Sequence, residues 1–561
     1  MERECEVYQL DTFIVFGVIL GITIVFLIFY YYATYQRNQK IKAQILSEYG
    51  ELPKWTLDGR DYNSIKRYYE QNPLVEPEID DITWSDLNMD AIFKRMKNTQ
   101  SSIGDEYSYR FFRMQHNDDL EYFENAVQAM HQNAEVRQQL QFAFHRIGRK
   151  TNNGLIDLLL KPEDFPKAPM LFIAFITFID IASLVWLGFD INYGILAVTL
   201  CFCVAIILFS VVLRKISKAM ITLGMFTRTV RAAKLIIKLD LPEFKRETDL
   251  MKKNLQVFKN ITSLVDYIIQ VSGSANSLMM IITAYFGLYG FAYNAMVSMF
   301  HKYRGEALEL YKCIGYIELC ISTASYRKSL KYYCRPSFCD KNVVEFEEII
   351  HPLLKNPVSN SHGIGNKILI TGSNASGKST FARTLAVNVI LGQLFNTCIA
   401  KSYTFRQCEV YTSMNLKDDI ISGDSFYVAE VKSLKRLLEV AGKEGYPMLF
   451  LDEIFKGTNM VERIAAASII LKQFSEVDCF ICLSTHDVEL SQILGNRYEN
   501  YHFQEIVTND DICFDYTLHE GVTTGSNAIK LLAYCNYDKE IVLNSEMYAD
   551  RYRITGKWES L

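Results

Sequence analysis

One stretch of the sequence limits the possible folds more than any other. Residues 372–379 read GSNASGKS, after the apolar run 367–371 and before an apolar pattern of helical period at 381–391. This spacing between a strand and a helix predicts a loop whose backbone N–H groups surround phosphate oxygens. Lys378 would reach the β- and γ-phosphates of ATP, and the Ser379 hydroxyl would bind Mg²⁺. The predicted nucleotide-binding residues are Gly372, Ser373, Asn374, Ala375, Ser376, Gly377, Lys378, Ser379 and Thr380.

A second segment supplies carboxylates where such a site needs them. Residues 448–451 are apolar, as expected of a buried strand, and Asp452 and Glu453 follow directly. In P-loop ATPases the first carboxylate of such a pair holds Mg²⁺ and the second polarises the attacking water. Acidic residues commonly end strands, so this pair indicates an ATPase only in combination with the phosphate-binding loop. We predict that Asp452 binds the metal ion and that Glu453 is catalytic.

A third strand pattern ends in a histidine. Residues 479–483 are apolar, and the sequence STH follows, ending at His486. A histidine after a strand beside the γ-phosphate occupies the switch position of ABC-type ATPases, so we predict a catalytic role for His486. Cys479 and Cys482 form a C-x-x-C within this strand, whereas a redox pair would stand at a helix N-terminus. We expect both thiols to be buried and inert.

Composition restricts the class of protein. The chain has 561 residues, more than one hydrophobic core usually organises, so several domains are expected. A net charge of −5 excludes a surface that binds polyanions everywhere, although not a local basic groove. The 13 cysteines are odd in number and scattered, which favours reduced intracellular thiols over a disulfide framework.

Three apolar segments have the length of membrane-spanning helices: 13–32, 169–187 and 193–213. Acidic residues precede the first segment, which argues against a signal peptide. The loop 188–192 has no lysine or arginine, whereas basic residues flank the second and third segments. By the positive-inside rule we expect a multi-pass protein of the cell membrane, with its N-terminus outside and its ATPase domain in the cytoplasm.

Two features of the apolar regions have alternative interpretations. Asp180 lies inside the second apolar segment, where a carboxyl that bonds neighbouring helices is favoured over a relay or ligand role. Residues 267–300 carry no charge and could pass for a fourth span. A fourth crossing would place the ATP site outside or reverse the distribution of basic residues, so we predict a buried soluble helix there.

The motifs together resemble the ATPase of the MutS family of DNA mismatch repair proteins. The resemblance covers about 351–542 and is weaker over 308–336. It includes the asparagine at 374, the segment 452–458 and the sequence STH ending at His486. Further similar stretches are His351-Pro352-Leu353-Leu354, Asp418-Asp419, Ser422-Gly423-Asp424-Ser425 and Gly525-Ser526-Asn527-Ala528-Ile529. Residues 81–84 and 89–107 look like the start of the helical core in membrane-anchored MutS-related proteins of bacteria.

The resemblance implies an ATPase that uses ATP and Mg²⁺ as a homodimer, in which Ser425 of each subunit completes the other's nucleotide site. It does not extend to mismatch reading. The Phe-x-Glu motif that MutS proteins wedge into DNA begins here only at Phe346, Phe474 and Phe503, at or inside the ATPase region. Val358 stands where the family often places an aromatic over the adenine, so weaker base stacking is expected.

These observations predict an α/β P-loop ATPase domain of ABC/MutS type at the C-terminus, preceded by an all-α lever and core region and three transmembrane helices. The predicted domains are an anchor (1–36), a cytoplasmic helical region (37–168), a transmembrane hairpin (169–213), a helical core and lever (214–340), the ATPase domain (341–545) and a tail (546–561).

The favoured function is a nucleotide-gated homodimeric switch at the membrane. A clamp that binds DNA is the alternative, although a solvated helix face explains the basic residues of 214–259 equally well. A transport ATPase is less favoured, because the sequence has no Leu-Ser-Gly-Gly-Gln signature.

Overall fold

The computed structural model describes residues 2–53, 59–74, 77–149, 154–161, 163, 165, 167–258, 288–373, 376–414, 426–443, 445–507, 512–522, 529, 532, 537–558 and 560. The helices are α1 (Glu2–Glu48), α2 (Gly59–Gln71), α3 (Asp81–Asp86), α4 (Met89–Met96), α5 (Ser102–Phe112), α6 (Leu120–Gln132), α7 (Ala134–Ile147), α8 (Leu155–Leu160), α9 (Met170–Leu187), α10 (Ile191–Leu239), α11 (Lys245–Leu255), α12 (Leu288–Ser329), α13 (Lys378–Phe395), α14 (Phe426–Ala441), α15 (Met460–Ser475), α16 (Glu489–Leu494) and α17 (Lys539–Thr555). The strands are β1 (Ser337–Phe338), β2 (Val344–Ile349), β3 (Asn360–Ile364), β4 (Lys367–Thr371), β5 (Ser402–Phe405), β6 (Val410–Ser413), β7 (Met448–Asp452), β8 (Phe480–Thr485), β9 (Glu499–His502), β10 (Glu505–Val507), β11 (Ile512–Phe514) and β12 (His519–Glu520).

The chain divides into two compact units that interleave along the sequence. The first comprises Met1–Pro53, Asn98–Asp105 and Ala129–Ser325. The second comprises Lys54–Lys97, Glu106–Gln128 and Tyr326–Leu561. The unit that contains the C-terminal part of the chain therefore also includes two segments from its N-terminal half.

In the first unit, α9 and α10 form a helical hairpin. The Asp190 carboxylate accepts hydrogen bonds from the backbone N–H groups of Asn192 and Tyr193 (3.0 and 3.2 Å), and this cap begins α10. Gly194 lies so close to Leu187 that a Cβ at this position would be 2.4 Å from the Leu187 Cα. The absence of a side chain here lets the two helices approach each other.

The helix that contains the third apolar segment extends well beyond that segment. The predicted span ends near residue 213, and α10 continues without a break to Leu239. No proline occurs in 191–239, and the basic residues that follow Leu213 are good helix formers. A change from apolar to basic residues marks the predicted end of the membrane segment without ending the helix.

Among the described residues, α9 alone is long and apolar enough to cross a membrane, with a mean hydropathy of 2.3. The helical stretch Ile191–Ala205 is apolar but shorter. Three transmembrane helices are therefore not established; the first predicted span, 13–32, falls within α1. Asp180 lies among the buried residues of α9 together with Ser183, whose hydroxyl donates to the Asp180 carbonyl (2.7 Å).

The uncharged segment 267–300 is described only from residue 288 onward, and 267–287 lies outside the described residues. Residues 288–300 form the start of α12, where Tyr293, Val297 and Phe300 are almost fully buried. This part agrees with the predicted buried helix. α12 has one non-helical residue, Tyr303, at a kink.

The second unit is built on a six-stranded sheet with the strand order β12-β9-β4-β8-β7-β6. The strands from β9 to β6 are parallel, and β12 is antiparallel at one edge. Because β8 lies between β4 and β7, Thr371 stands opposite Thr485, and Asp452 stands opposite Ser484. The carboxyl ends of these three strands bring the three sequence motifs to one edge of the sheet, as predicted for an α/β P-loop fold.

A smaller mixed sheet, with the order β1-β5-β2-β3, belongs to the same unit. Beside the larger sheet, apolar side chains of β4, β7 and β8 form one buried cluster with α14 and α15, including Leu369, Leu437, Leu451, Leu471 and Leu483. This close-packed core holds the strand ends, and hence the motifs that follow them, in fixed positions.

Helix α3 covers the edge strand β6 of the larger sheet. The Thr83 hydroxyl accepts a hydrogen bond from the Thr412 N–H (3.1 Å). The Asp86 carboxylate accepts from the Thr412 hydroxyl (2.7 Å) and from the Met414 N–H (2.8 Å). Polar groups of an otherwise open sheet edge are satisfied in this way. Residues 81–84, which resemble the start of a helical core, belong to this helix on the edge of the six-stranded sheet.

Candidate nucleotide site

The phosphate-binding loop connects β4 to α13 through two glycines with positive φ. Gly372 has φ +145°, and a Cβ there would lie 2.7 Å from the Phe503 carbonyl oxygen. Gly377 has φ +108° and is the N-cap residue of α13. Residues with a side chain rarely adopt these conformations, so the spacing of the glycines fixes the shape of the loop. The helix that follows directs its N-terminal N–H groups toward the loop.

Lys378 is folded onto this loop. Its side chain is buried, and Nζ donates to the carbonyl oxygens of Gly372 (2.7 Å) and Ser373 (2.6 Å). The Ser376 hydroxyl also donates to the Ser373 carbonyl (2.8 Å). A buried ammonium group held at the centre of the loop can bind an anion there with little reorganisation. Asn374 and Ala375 lie outside the described residues.

A cavity of about 430 Å³ opens beside the loop, within the usual size range of small-molecule sites. Five predicted nucleotide-binding residues line it: Ser373, Gly377, Lys378, Ser379 and Thr380. Glu453 lines the same cavity, together with Val358 and the aromatic rings of Phe503 and Tyr516. The cavity therefore combines phosphate-binding groups, a carboxylate and an apolar wall, which fits a nucleotide.

Asp452 ends β7 beside β8. Its carboxylate accepts a short hydrogen bond from the Ser484 hydroxyl on the neighbouring strand. The Asp452 carboxylate and the Ser379 hydroxyl are oxygen ligands of the type that Mg²⁺ prefers. The donor set predicted from the sequence thus fits a magnesium ion.

Glu453 follows Asp452 in a left-handed backbone conformation, with φ +50°. Its N–H donates to the Ser484 carbonyl (2.8 Å), which helps to hold this uncommon conformation for a non-glycine residue. The carboxylate lies 3.6 Å from His486 Nδ1 and 3.1 Å from Lys456 Nζ. His486, and to a smaller extent Lys456, lower the pKa of Glu453 to about 2, so the carboxylate is ionised at neutral pH.

His486 is held between two carboxylates. Its contact with Glu453, and to a smaller extent the charge of Asp487, raises the pKa of the imidazole above 6.5. The Asp487 carboxylate is itself fixed by two hydrogen bonds from Arg463, at 2.9 and 2.7 Å. A bidentate pair of this kind orients Asp487 and, through it, the surroundings of the histidine.

The sequence analysis assigned no role to several residues that shape the site. Lys456 lies three residues after Glu453, but no sequence pattern indicated that its ammonium group would contact the Glu453 carboxylate. The buried Glu430 accepts from the N–H groups of Lys456 (3.1 Å) and Gly457 (3.3 Å) and so holds the segment after Glu453. Arg463 also lacked a sequence signal, because its partner Asp487 follows a different strand.

Three further predictions concern the neighbourhood of the site. Val358, rather than an aromatic, lines the cavity as expected. Cys479 and Cys482 are fully buried free thiols, and burial raises the pKa of both, as expected of inert cysteines. Ser425 lies outside the described residues, so its role stays a prediction.

His351 lines the same cavity. Burial and the nearby charges of Arg383 and Arg95 lower its pKa to about 4. The ring is therefore neutral at physiological pH, and its Nδ1 accepts a hydrogen bond from the Leu353 N–H (3.3 Å).

Comparison with known proteins places the similarity in this part of the chain. Residues 368–552 match the family model described as MutS domain V. MutS protein homolog 4 of Mus musculus is 28% identical over 250 residues, which are 41% of this chain and 26% of that protein. DNA mismatch repair protein MSH3 of Saccharomyces cerevisiae is 30% identical over 245 residues (40% and 24%), and DNA mismatch repair protein MutS of Clostridium kluyveri is 26% identical over 268 residues (45% and 30%).

The chain matches less than a third of the length of these relatives. Loop geometry, strand order and sequence similarity nevertheless agree over the same region. Residues 368–552 are therefore similar in sequence to MutS domain V and have the loop geometry and strand order of a P-loop fold.

Proposed function

We propose that this chain binds and hydrolyses ATP with Mg²⁺ at the site formed by the loop 372–380 and the ends of β7 and β8. The placement of Glu453 carries the proposal. Its ionised carboxylate lines the cavity that the phosphate-binding loop also lines. A carboxylate at this position can orient a water molecule and accept its proton.

The other residues of the site have distinct roles in this proposal. Lys378 would exchange its bonds to the loop carbonyls for phosphate oxygens. Ser379 and Asp452 would hold Mg²⁺, which when bound neutralises phosphate charge. His486, whose pKa is raised by Glu453 and Asp487, would supply a positive charge near the reacting phosphate.

The test is the Mg²⁺-dependent ATPase rate and ATP affinity of the full-length protein. Lys378→Ala should abolish tight ATP binding and hydrolysis, because no other group replaces its charge in the loop. Lys435→Ala, which changes an exposed lysine of α14, is the matched control and should leave both unchanged. Wild-type binding and turnover by the Lys378→Ala protein would refute the site.

We also propose that the chain is a membrane-anchored homodimer whose subunits close on ATP. Its anchoring is supported by the apolar composition of α9 and by the distribution of basic residues around the predicted spans. The homodimer, with Ser425 completing the partner's site, is supported by the resemblance of 418–425 to the MutS signature segment. Anchored subunits would meet at a raised local concentration, which favours closure.

A DNA-binding clamp is the second candidate, because similar proteins carry the name of DNA mismatch repair proteins. The experiment that separates the two candidates measures the ATPase rate with and without duplex and branched DNA. A DNA-dependent change of rate, with measurable binding at physiological salt, would favour the clamp. An unchanged rate without binding would favour the membrane switch.

A further inference from the structure

Two cysteines that are distant in sequence are paired in the structure outside the nucleotide site. Cys334 and Cys398 form an isolated antiparallel bridge, in which each backbone N–H donates to the other residue's carbonyl at 2.9 Å. Residues paired in this manner have Cα atoms about 5.5 Å apart. This separation is close to the most frequent value in disulfides, about 5.5–6 Å. The backbone is therefore already positioned for a disulfide between two free thiols.

The two thiols differ in environment. Cys334 is partly exposed, whereas Cys398 is completely buried. A hydrogen bond from the Cys398 thiol lowers the pKa of Cys334, and burial together with the neighbouring sulfur raises the pKa of Cys398 well above its usual range. The more accessible sulfur is thus the one that ionises more readily, and thiolates are the reactive species toward oxidants.

We propose that Cys334 and Cys398 form a reversible disulfide when the protein meets hydrogen peroxide. The Cys334 thiolate attacks a peroxide oxygen, the O–O bond breaks, and Cys334 becomes a sulfenic acid while water is released. The Cys398 sulfur then attacks the Cys334 sulfur, and an S–S bond forms as the S–O bond breaks. Two thiols lose two electrons and two protons in total, and one peroxide becomes two water molecules. Cys334 is the attacking cysteine and Cys398 the resolving one.

The bond would fix one end of the helix that begins in the nucleotide site. Cys398 follows α13, and its sulfur packs so tightly on Gly392 that a Cβ there would lie 2.8 Å away. Cys398 Sγ also lies 3.3 Å from the Asn388 carbonyl oxygen. A covalent link from Cys334 to this position would restrain movement of α13, whose other end carries Lys378.

The chain offers a matched control in Cys339. This residue is partly exposed like Cys334 and lies near it in sequence, but its backbone N–H donates to Phe405 rather than to another cysteine (3.1 Å). Its sulfur lies 3.7 Å from the Lys341 carbonyl. Among the described residues no cysteine is bridged to Cys339, so general oxidation of accessible thiols would affect Cys339 as much as Cys334.

The experiment exposes the full-length protein in detergent to hydrogen peroxide, alkylates the remaining thiols and maps the peptides by mass spectrometry. We expect one cross-linked pair of peptides, containing Cys334 and Cys398, that dithiothreitol separates. Cys339→Ser should leave this product unchanged, and Cys334→Ser should abolish it. In Cys398→Ser, Cys334 should accumulate as sulfenic acid, which a dimedone probe detects.

Three results on the wild-type protein would overturn the proposal, so the decision does not depend on the folding of any variant. The first is a disulfide between Cys334 and Cys339. The second is a sulfenic acid on Cys334 beside an alkylated Cys398. The third is an unmodified Cys334 at a peroxide concentration that oxidises Cys339.

Discussion

The Nδ1 atom of His486 lies 3.6 Å from Oε1 of Glu453, although the two residues follow different strands. The pairing of β7 with β8 brings them together, and Lys456 approaches the other carboxylate oxygen (3.1 Å). The residue proposed as the base and the residue at the switch position therefore control each other's protonation. A change in one of them therefore shifts the pKa of the other.

The first prediction concerns this coupling. Glu453 favours the imidazolium form, so Glu453→Gln should lower the pKa of His486 toward 6.5. His486 contributes stability that is complete below its ordinary pKa of 6.5 and is lost as pH rises through the raised value. Glu453 contributes stability that is present above its ordinary pKa of 4.5 and is lost as pH falls toward about 2.

Histidine-selective NMR titration measures the pH midpoint of His486, and the His486→Asn protein identifies its resonance. The same midpoint in wild-type and Glu453→Gln proteins would show that the two side chains are not coupled.

The second prediction concerns a buried ion pair at the far end of the nucleotide-binding helix. Arg327 donates to both Glu124 carboxylate oxygens (2.9 and 2.6 Å) and to the carbonyls of Phe395 and Asn396 (3.0 Å each). Burial would raise the pKa of Glu124, but Arg327 and Arg335 outweigh burial and lower it. Removing one partner of such a pair typically costs about 3–5 kcal/mol.

Arg327→Met should therefore speed amide hydrogen exchange near the end of α13 by about a hundredfold or more, by local opening. The exposed pair of Lys435 and Glu439 (3.8 Å) provides the control, because Lys435→Met should cost about 0.5 kcal/mol or less. Equal effects of the two substitutions would mean that the buried pair does not hold the helix.

The nucleotide-binding motifs could be predicted because each is local. A glycine spacing, two carboxylates after an apolar run and a histidine after another can each be recognised within a few residues. Their assembly also followed, because parallel strands place their carboxyl ends at one edge. Phosphate and metal binding require particular residue types at these positions, so the motifs can be recognised without knowledge of distant parts of the chain.

The residues that position the motifs could not be predicted, because their partners are distant in sequence. Arg463 follows β7 and Asp487 follows β8, so the two side chains meet only after these strands have paired. Cys334 and Cys398 are likewise distant in sequence and are brought together by one isolated backbone bridge. The change from apolar to basic residues near residue 213 marks the predicted end of the third apolar segment, but the helix that contains it continues to Leu239.

The third prediction is the membrane topology. If the N-terminus is outside and three segments span the membrane, an impermeant thiol reagent added outside intact cells should label Cys5 and an Asp190→Cys protein. It should not label a Lys302→Cys protein until the cells are opened. Making the Asp190→Cys change in a Cys5→Ser protein distinguishes labelling at residue 190 from labelling at Cys5. External labelling of Lys302→Cys would overturn the proposed topology.

The fourth prediction is that nucleotide sites are composite. Lys378→Ala damages the loop of its own subunit, whereas Ser425→Arg should damage the partner's site. A mixed dimer then has one site with both changes and one intact site, so mixing the two inactive proteins should restore part of the ATPase activity. Absence of recovery, with mixed dimers detected, would indicate that each site is complete within one chain.

The central claim is that Glu453 acts in hydrolysis and not in nucleotide binding, and the Glu453→Gln protein tests it most directly. Glutamine keeps the size of the side chain but cannot accept the proton, whereas Lys378 and the loop are unchanged. The measurement compares ATP affinity and single-turnover hydrolysis in wild-type and Glu453→Gln proteins. We predict similar affinity, with hydrolysis slower by about a hundredfold or more and ATP retained at the site. Hydrolysis at the wild-type rate would contradict the account.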